Sequence, residues 1–314
     1  MTKTAFLFPG QGSQSVGMMS ALASDFHQVQ ATFEEASASL GYDLWDVVAD
    51  GPAEALNRTE VTQPAMLVSG IATWRIWQAL GGAQPDYFAG HSLGEYSALV
   101  AAGVMPFGDA VTIVAERGRL MQQATPAGTG AMAAVLGLED QVLRDICTQV
   151  ADGEVVSCAN YNAPGQIVIS GNTAAVETVG GLARQAGARR VLPLPVSVPS
   201  HCLLMKPAAA KLQALLLNVR FSDGDLPVIQ NADVRSYADA EQVREALARQ
   251  LWQPVRWTET IRSLLNSGVS RFVECGPGKV LAGLNRRISK PSTVFALTGR
   301  AVIEDAMQLE ENNE

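Results

Sequence analysis

The sequence predicts an α/β protein: a large α/β-hydrolase-like domain with a mainly parallel sheet, and a small ferredoxin-like βαββαβ domain inserted into it. Three observations carry this. Apolar, strand-like runs alternate with helical stretches from end to end. The pentapeptide Gly90-His91-Ser92-Leu93-Gly94 lies between an apolar run and a helical stretch, as a nucleophile elbow does. The stretch from 131 to 194 changes rhythm to β-α-β-β-α-β. With 314 residues, 47% hydrophobic and 17% charged, the chain can bury one large core and a smaller one.

In chain order, the first strand is 5–8, an apolar run opening into the Gly-rich loop Pro9-Gly10-Gln11-Gly12-Ser13. Helices follow at 26–40 and 65–80, and a short buried strand at 87–89 leads into the elbow. The helix after the elbow, 95–102, is closed by Gly103, and another covers 108–123. The run Thr125-Pro126-Ala127-Gly128-Thr129-Gly130 is a strong loop signal and marks a domain boundary. The small domain, 127–196, reads as strand 131–136, helix 139–151, strands 154–160 and 166–170, helix 173–186 and strand 189–194. The large domain, 1–126 and 197–314, resumes through the Pro-rich segment 193–199. It continues with strand 228–231, helix 241–251 and strand 271–275. A cleft between the two domains is the expected place for a ligand.

Composition excludes several classes. A net charge of −8 without a basic tract argues against nucleic acid as partner. No basic region precedes a long apolar stretch, so neither a signal peptide nor a membrane span is expected. The four cysteines lack Cys-x-x-Cys spacing and read as reduced thiols of a cytoplasmic protein. The three histidines lie far apart, and no metal site is expected.

Ser92 needs a base to become a nucleophile. His91 should point away from it on a tight turn, and His27 reads as a surface residue. His201, in Val198-Pro199-Ser200-His201-Cys202, is the best candidate, because a rigid loop can present it to the cleft; a loop histidine without a role is the plain alternative. A hydrolase triad would add a carboxylate, but Asp109, Asp140 and Asp145 have no distinguishing context. The loop at Gln11 is neither a dinucleotide fingerprint nor a P-loop. Its backbone N–H groups can instead cradle an oxyanion, with Gln11 and Leu93 the natural donors; a tight structural turn is the alternative. Arg117 adjoins the buried stripe Val111, Val114, Gly118 and Met121. A buried guanidinium requires an anionic partner, either an internal acid such as Glu116 or a substrate carboxylate.

Taken together, Phe8-Pro9-Gly10-Gln11-Gly12-Ser13-Gln14, Gln63-Pro64-Ala65, Gly90-His91-Ser92-Leu93-Gly94-Glu95-Tyr96 and Arg117-Gly118 form a set. Asn160, Gly165-Gln166, Val198-Pro199-Ser200-His201 and Gly276-Pro277-Gly278 complete it. The set resembles the malonyl-CoA:acyl carrier protein transacylases of bacterial fatty-acid synthesis, over nearly the whole chain and with no departure at the catalytic positions. The resemblance implies Ser92 as acylated nucleophile, His201 as its base, and Gln11 and Leu93 as oxyanion donors. It also implies that Arg117 binds the free carboxylate of malonyl. In the family the histidine is oriented by a main-chain carbonyl at a Gln/Asn position, here Gln250, which accounts for the missing acid. Arg189, Arg190, Arg286 and Arg287 are then candidates to meet an acidic carrier protein, unless they are ordinary surface charges. The implied enzyme is a monomer that takes malonyl-CoA as substrate and needs no cofactor. Rival readings are a serine esterase or thioesterase acting on acyl-CoA, a non-catalytic carrier-protein docking subunit, and a malonyltransferase of polyketide synthesis or malonate decarboxylation.

Overall fold

The computed structural model describes residues 2–126, 128–196, 198–224 and 226–311. Residues 127 and 197, where the sequence sets the edges of the inserted domain, lie outside the described residues. The strands are β1 (Lys3–Phe8), β2 (Tyr87–Gly90), β3 (Gly130–Leu136), β4 (Val156–Ala163), β5 (Gln166–Asn172), β6 (Arg190–Pro193), β7 (Val228–Ile229), β8 (Val269–Glu274) and β9 (Thr293–Ala296). They form two sheets, one of order β7-β2-β1-β8-β9 and one of order β4-β5-β3-β6.

The first sheet is parallel throughout. Its central strand β1 has one exposed residue followed by five buried ones, the continuous apolar run expected of a strand covered on both faces. The helix Thr59–Ala79 packs against it and is buried almost all round. This helix begins six residues before the expected start at 65, running straight through Pro64. A proline two turns into a helix forfeits one backbone donor, and the surrounding core holds the helix regardless. The first long helix starts at Gln28 rather than 26, with His27 exposed at its N-cap.

Register places the site. Phe8 pairs with Gly90, Ala89 with Ile229, and Leu7 with Glu274. The C-terminal ends of four strands are therefore level, and the segments leaving them share one edge. The chain order reverses there, with β2 and β8 on opposite sides of β1. In open parallel sheets, ligands bind at that place.

The second sheet is antiparallel, and with helices Asp140–Val150 and Thr173–Gln185 it makes the βαββαβ unit. Period-two alternation splits β3: Ala133 and Val135 join Leu143, Ile167 and Val179 in a core under the helices. Met132, with Ala159 and Val168, forms a separate apolar cluster on the other face. The expected strand 154–160 instead runs from Val156 to Ala163, so residues 161–163, left between the two expected strands, are the end of β4, with two register irregularities. That extension is stabilised by the large domain: Tyr161 N–H donates to Val255 O at 2.9 Å and Val255 N–H to Ala159 O at 2.8 Å. The turn contracts to Pro164-Gly165.

Candidate active site

Ser92 sits between β2 and the helix Gly94–Ala101 with φ +52°, a left-handed conformation that costs a non-glycine residue about 1–3 kcal/mol. Two glycines make the turn possible. A Cβ on Gly90 would stand 1.9 Å from the Gly94 carbonyl, and one on Gly94 would stand 2.0 Å from Phe8 O. Only backbone fits where β1, β2 and the helix converge.

Ser92 Oγ lies 2.7 Å from His201 Nε2. His201, also left-handed at φ +60°, is 2% exposed. Its N–H donates to Leu251 O at 2.9 Å. Its Nδ1 faces two main-chain carbonyls, Gln250 O at 2.8 Å and Gln253 O at 3.2 Å. Two acceptors assign the proton to Nδ1 and leave a lone pair on Nε2 toward the serine. Burial, and then the charge of Arg117, pull the His201 pKa down to about 3, so the imidazole is neutral and its Nε2 lone pair is free to accept the serine proton. Asp109, Asp140 and Asp145 do not touch it; Asp145, for example, accepts from Gln141 on its own helix.

Arg117 is 1% exposed. Its guanidinium donates to Gln63 Oε1 at 2.8 Å, Gln250 Oε1 at 3.0 Å and Ser92 Oγ at 3.3 Å, and lies over the Tyr96 ring at 5.6 Å. Its buried Nε has no partner. Glu116, the internal acid considered as its counter-ion, pairs with Arg119 on the outer face of the helix. Among the described residues no carboxylate lies within ion-pair distance of Arg117.

These groups line a cavity of about 200 Å³ between the two sheets. Gln11 and Leu93 border it beside Ser92, and Met132, Val168 and Leu194 supply an apolar wall from the small domain. Gln250 serves twice more through its side chain, its Nε2 donating to Ser92 O at 2.8 Å. His91 turns away from Ser92 to Asn162 Oδ1 at 2.8 Å, its ring tilted 57° to that of Trp257 at 5.5 Å. All four basic residues are exposed: Gln166 and Arg190 both pair with Leu136, one on either side, Arg287 bonds Gln166, and Arg286 turns instead to Val294 O at 3.4 Å. Arg190 and Gln166 are thus two strand spacings, about 10 Å, apart. Arg189 is next to Arg190, and Arg286 next to Arg287. No three His, Cys, Asp or Glu side chains gather as a metal site among the described residues.

Sequence reasoning missed Asn231, whose Oδ1 accepts from Ser92 N–H at 2.7 Å, and gave no role to Gln63 or Glu95. Gln63 entered only through the family set, in Gln63-Pro64-Ala65. Asn231 carried no signal until the topology set it beside β2.

The acyl transferase domain family model matches residues 5–301. The malonyl CoA-acyl carrier protein transacylase of Salmonella typhimurium (strain LT2) is 53% identical over 307 residues, covering 98% of this chain and 99% of its own. An acyl carrier protein S-malonyltransferase from Vibrio cholerae superposes with a TM-score of 0.95 at 53% identity, over 97% of this chain and 100% of that one. A malonyl-transacylase in complex with its type II PKS acyl-carrier protein superposes at 0.97 with 50% identity, over 98% and 100% of the two chains.

A base that is already neutral well below neutrality should not limit reaction in the ordinary histidine range. Labelling of Ser92 by a fluorophosphonate probe is expected to be flat from about pH 5 to 8. A break near the unperturbed histidine value of about 6.5 would show that His201 is not held as described.

Proposed function

The chain belongs to the acyl transferase domain family, and from that premise we infer that it transfers malonyl from malonyl-CoA to the phosphopantetheine thiol of an acyl carrier protein. The observation that carries this reading is the guanidinium of Arg117, buried without a carboxylate and 3.3 Å from the Ser92 hydroxyl. Such a charge favours an acyl group that brings its own anion.

In the first step Ser92 Oγ attacks the thioester carbonyl while His201 Nε2 takes its proton. Ser92 N–H is occupied by Asn231, so the developing oxyanion is left to the N–H groups of Leu93 and Gln11. The C–S bond breaks, CoA leaves as thiol with the proton from His201, and a malonyl-serine ester remains. Its carboxylate, two carbons beyond the ester carbonyl, pairs with Arg117. In the second step the carrier thiol gives its proton to His201, attacks the ester, and leaves with malonyl as Ser92 recovers the proton. No electron is gained or lost, so the exchange requires no redox cofactor, and with the oxyanion held by N–H groups this reading calls for no metal. The absence of a triad acid does not impede it, because the two carbonyls at Nδ1 orient the imidazole. The enzyme is a cytoplasmic monomer in this reading, and the rim formed by Arg189, Arg190, Arg286 and Arg287 receives the acidic carrier protein. The carrier in the neighbouring complex is a type II PKS acyl-carrier protein, so fatty-acid and polyketide acceptors are distinguished by assaying carriers side by side.

The reading is tested by intact-protein mass spectrometry after brief mixing with malonyl-CoA. One malonyl adduct is expected on the native chain and none on Ser92→Ala. Release of free CoA without an adduct or an acceptor would indicate an esterase, and neither signal would indicate a docking subunit.

Arg117→Ala should lose malonyl turnover and gain relative activity on acetyl-CoA. The native preference for malonyl corresponds to roughly 2–5 kcal/mol, or about 30-fold to several thousand-fold. Unchanged selectivity in competition assays would reduce the arginine to a structural role. Replacing Arg286 and Arg287 together by Glu should raise the KM for carrier protein by about 10-fold and flatten its salt dependence, with malonyl-Ser92 formation unaltered. An unaltered KM would remove this rim from the docking surface.

A further inference from the structure

The Ser92 peptide is gripped on both sides. Gln250 Nε2 holds its carbonyl, and Asn231 Oδ1 accepts its N–H at 2.7 Å. The same Asn231 amide donates through Nδ2 to Gly90 O at 2.6 Å. One side chain therefore spans the turn from the end of β2 to the nucleophile. The backbone of Asn231 is anchored independently. Its N–H donates to Glu95 Oε2 at 2.6 Å, and its carbonyl accepts from Arg256 N–H at 3.2 Å. Glu95 lies in the first turn of the helix that follows the elbow. A closed ring therefore runs from Gly90 through Ser92 and Glu95 to Asn231 and back, with Asn231 1% and Glu95 0% exposed.

We propose that Asn231 is a positioning residue for acyl transfer, its side-chain amide clipping the elbow so that the Ser92 hydroxyl stays in line with His201. The inference rests on the malonyl-transfer reading above. The amide has the required chemistry at every pH, an acceptor and a donor on separate atoms of one short side chain. Aspartate offers two acceptors and would face Gly90 O with the wrong sign; alanine offers neither contact. The clip opposes the strain of a serine at φ +52° without touching the substrate. Burial raises the Glu95 pKa to about 8, so the anchor is largely uncharged at neutral pH and does not add a full negative charge beneath the nucleophile.

The test uses the full chain and its Asn231→Ala and Asn231→Asp variants, with single-turnover acylation of Ser92 by malonyl-CoA followed by rapid quench. Asn231→Ala is expected to acylate about 100-fold more slowly at saturating malonyl-CoA, with the half-saturating concentration within about twofold of the parent. In Asn231→Asp, the rate relative to the parent should rise as pH falls from about 8 to 5.5, because a buried aspartate taking up a proton regains a donor for Gly90 O. The charged or titratable groups around it are Glu95, Arg117, His91, Arg256 and Asp233 with its partner Arg249. All are present in the parent, so the ratio removes what they contribute on their own, and what remains is the titration of the new carboxyl coupled to them, to Glu95 above all. A parent that does not acylate overturns the malonyl reading and this inference with it. A parent that acylates beside an Asn231→Ala variant of similar rate overturns the positioning role alone. A deficit in Asn231→Asp that does not change with pH also overturns it, leaving Asn231 a packing residue.

Discussion

A serine held in the left-handed region of backbone space is the constraint from which the rest of the molecule follows. A strand must end and a helix begin within three residues, which admits no side chain at Gly90 or Gly94. The parallel sheet supplies the convergence: β1 and β2 are in register up to Phe8 and Gly90, so the elbow emerges level with the Gln11 loop. The strain at Ser92 survives because hydrogen bonds from two distant segments, 231 and 250, fix the peptide on either side. Local geometry alone would not hold it.

The second ordering principle is polarity within the cavity. His201 is neutral because it is buried and lies near a fixed positive charge. Glu95 is largely neutral because it is buried with few donors. Arg117 is thus left as the charge in the immediate site, surrounded by amide and hydroxyl oxygens and an aromatic face. Such an arrangement is stable enough to fold around yet unsatisfied enough to select an anion. Gln250 links the three parts, its side chain touching Arg117 and Ser92 while its carbonyl orients His201.

Legibility followed the distance over which each feature is encoded. The elbow was readable because its five contiguous residues are a backbone requirement written as composition. His201 stood out through the rigid loop before it, and Arg117 through helical periodicity on a buried face. The α/β alternation and the βαββαβ order were readable for the same reason. By contrast, the clip between Ser92 and Asn231 joins residues 139 positions apart and exists only once β7 lies beside β2. The carbonyls that replace a triad acid have no side-chain signature at all, so from the residues alone the orienting group looked absent; only the family resemblance pointed to Gln250. The expected strand stopped short of the end of β4 because the stabilising partner there, Val255, lies outside the small domain. The helix through Pro64 was read too short, since local propensity there is overridden by packing.

The closeness of Arg117 to the catalytic pair makes basicity depend on cargo. Ser92 Oγ lies between the guanidinium at 3.3 Å and the imidazole at 2.7 Å, and the positive charge of the first is one of the causes that depress the second. A carboxylate arriving on Arg117 cancels that repulsion, and the imidazolium formed during attack then becomes easier to bear. A neutral acyl group leaves the repulsion in place. The arginine therefore discriminates twice, once in holding the acyl chain and once in tuning the base, so a dicarboxylic acyl group promotes its own transfer.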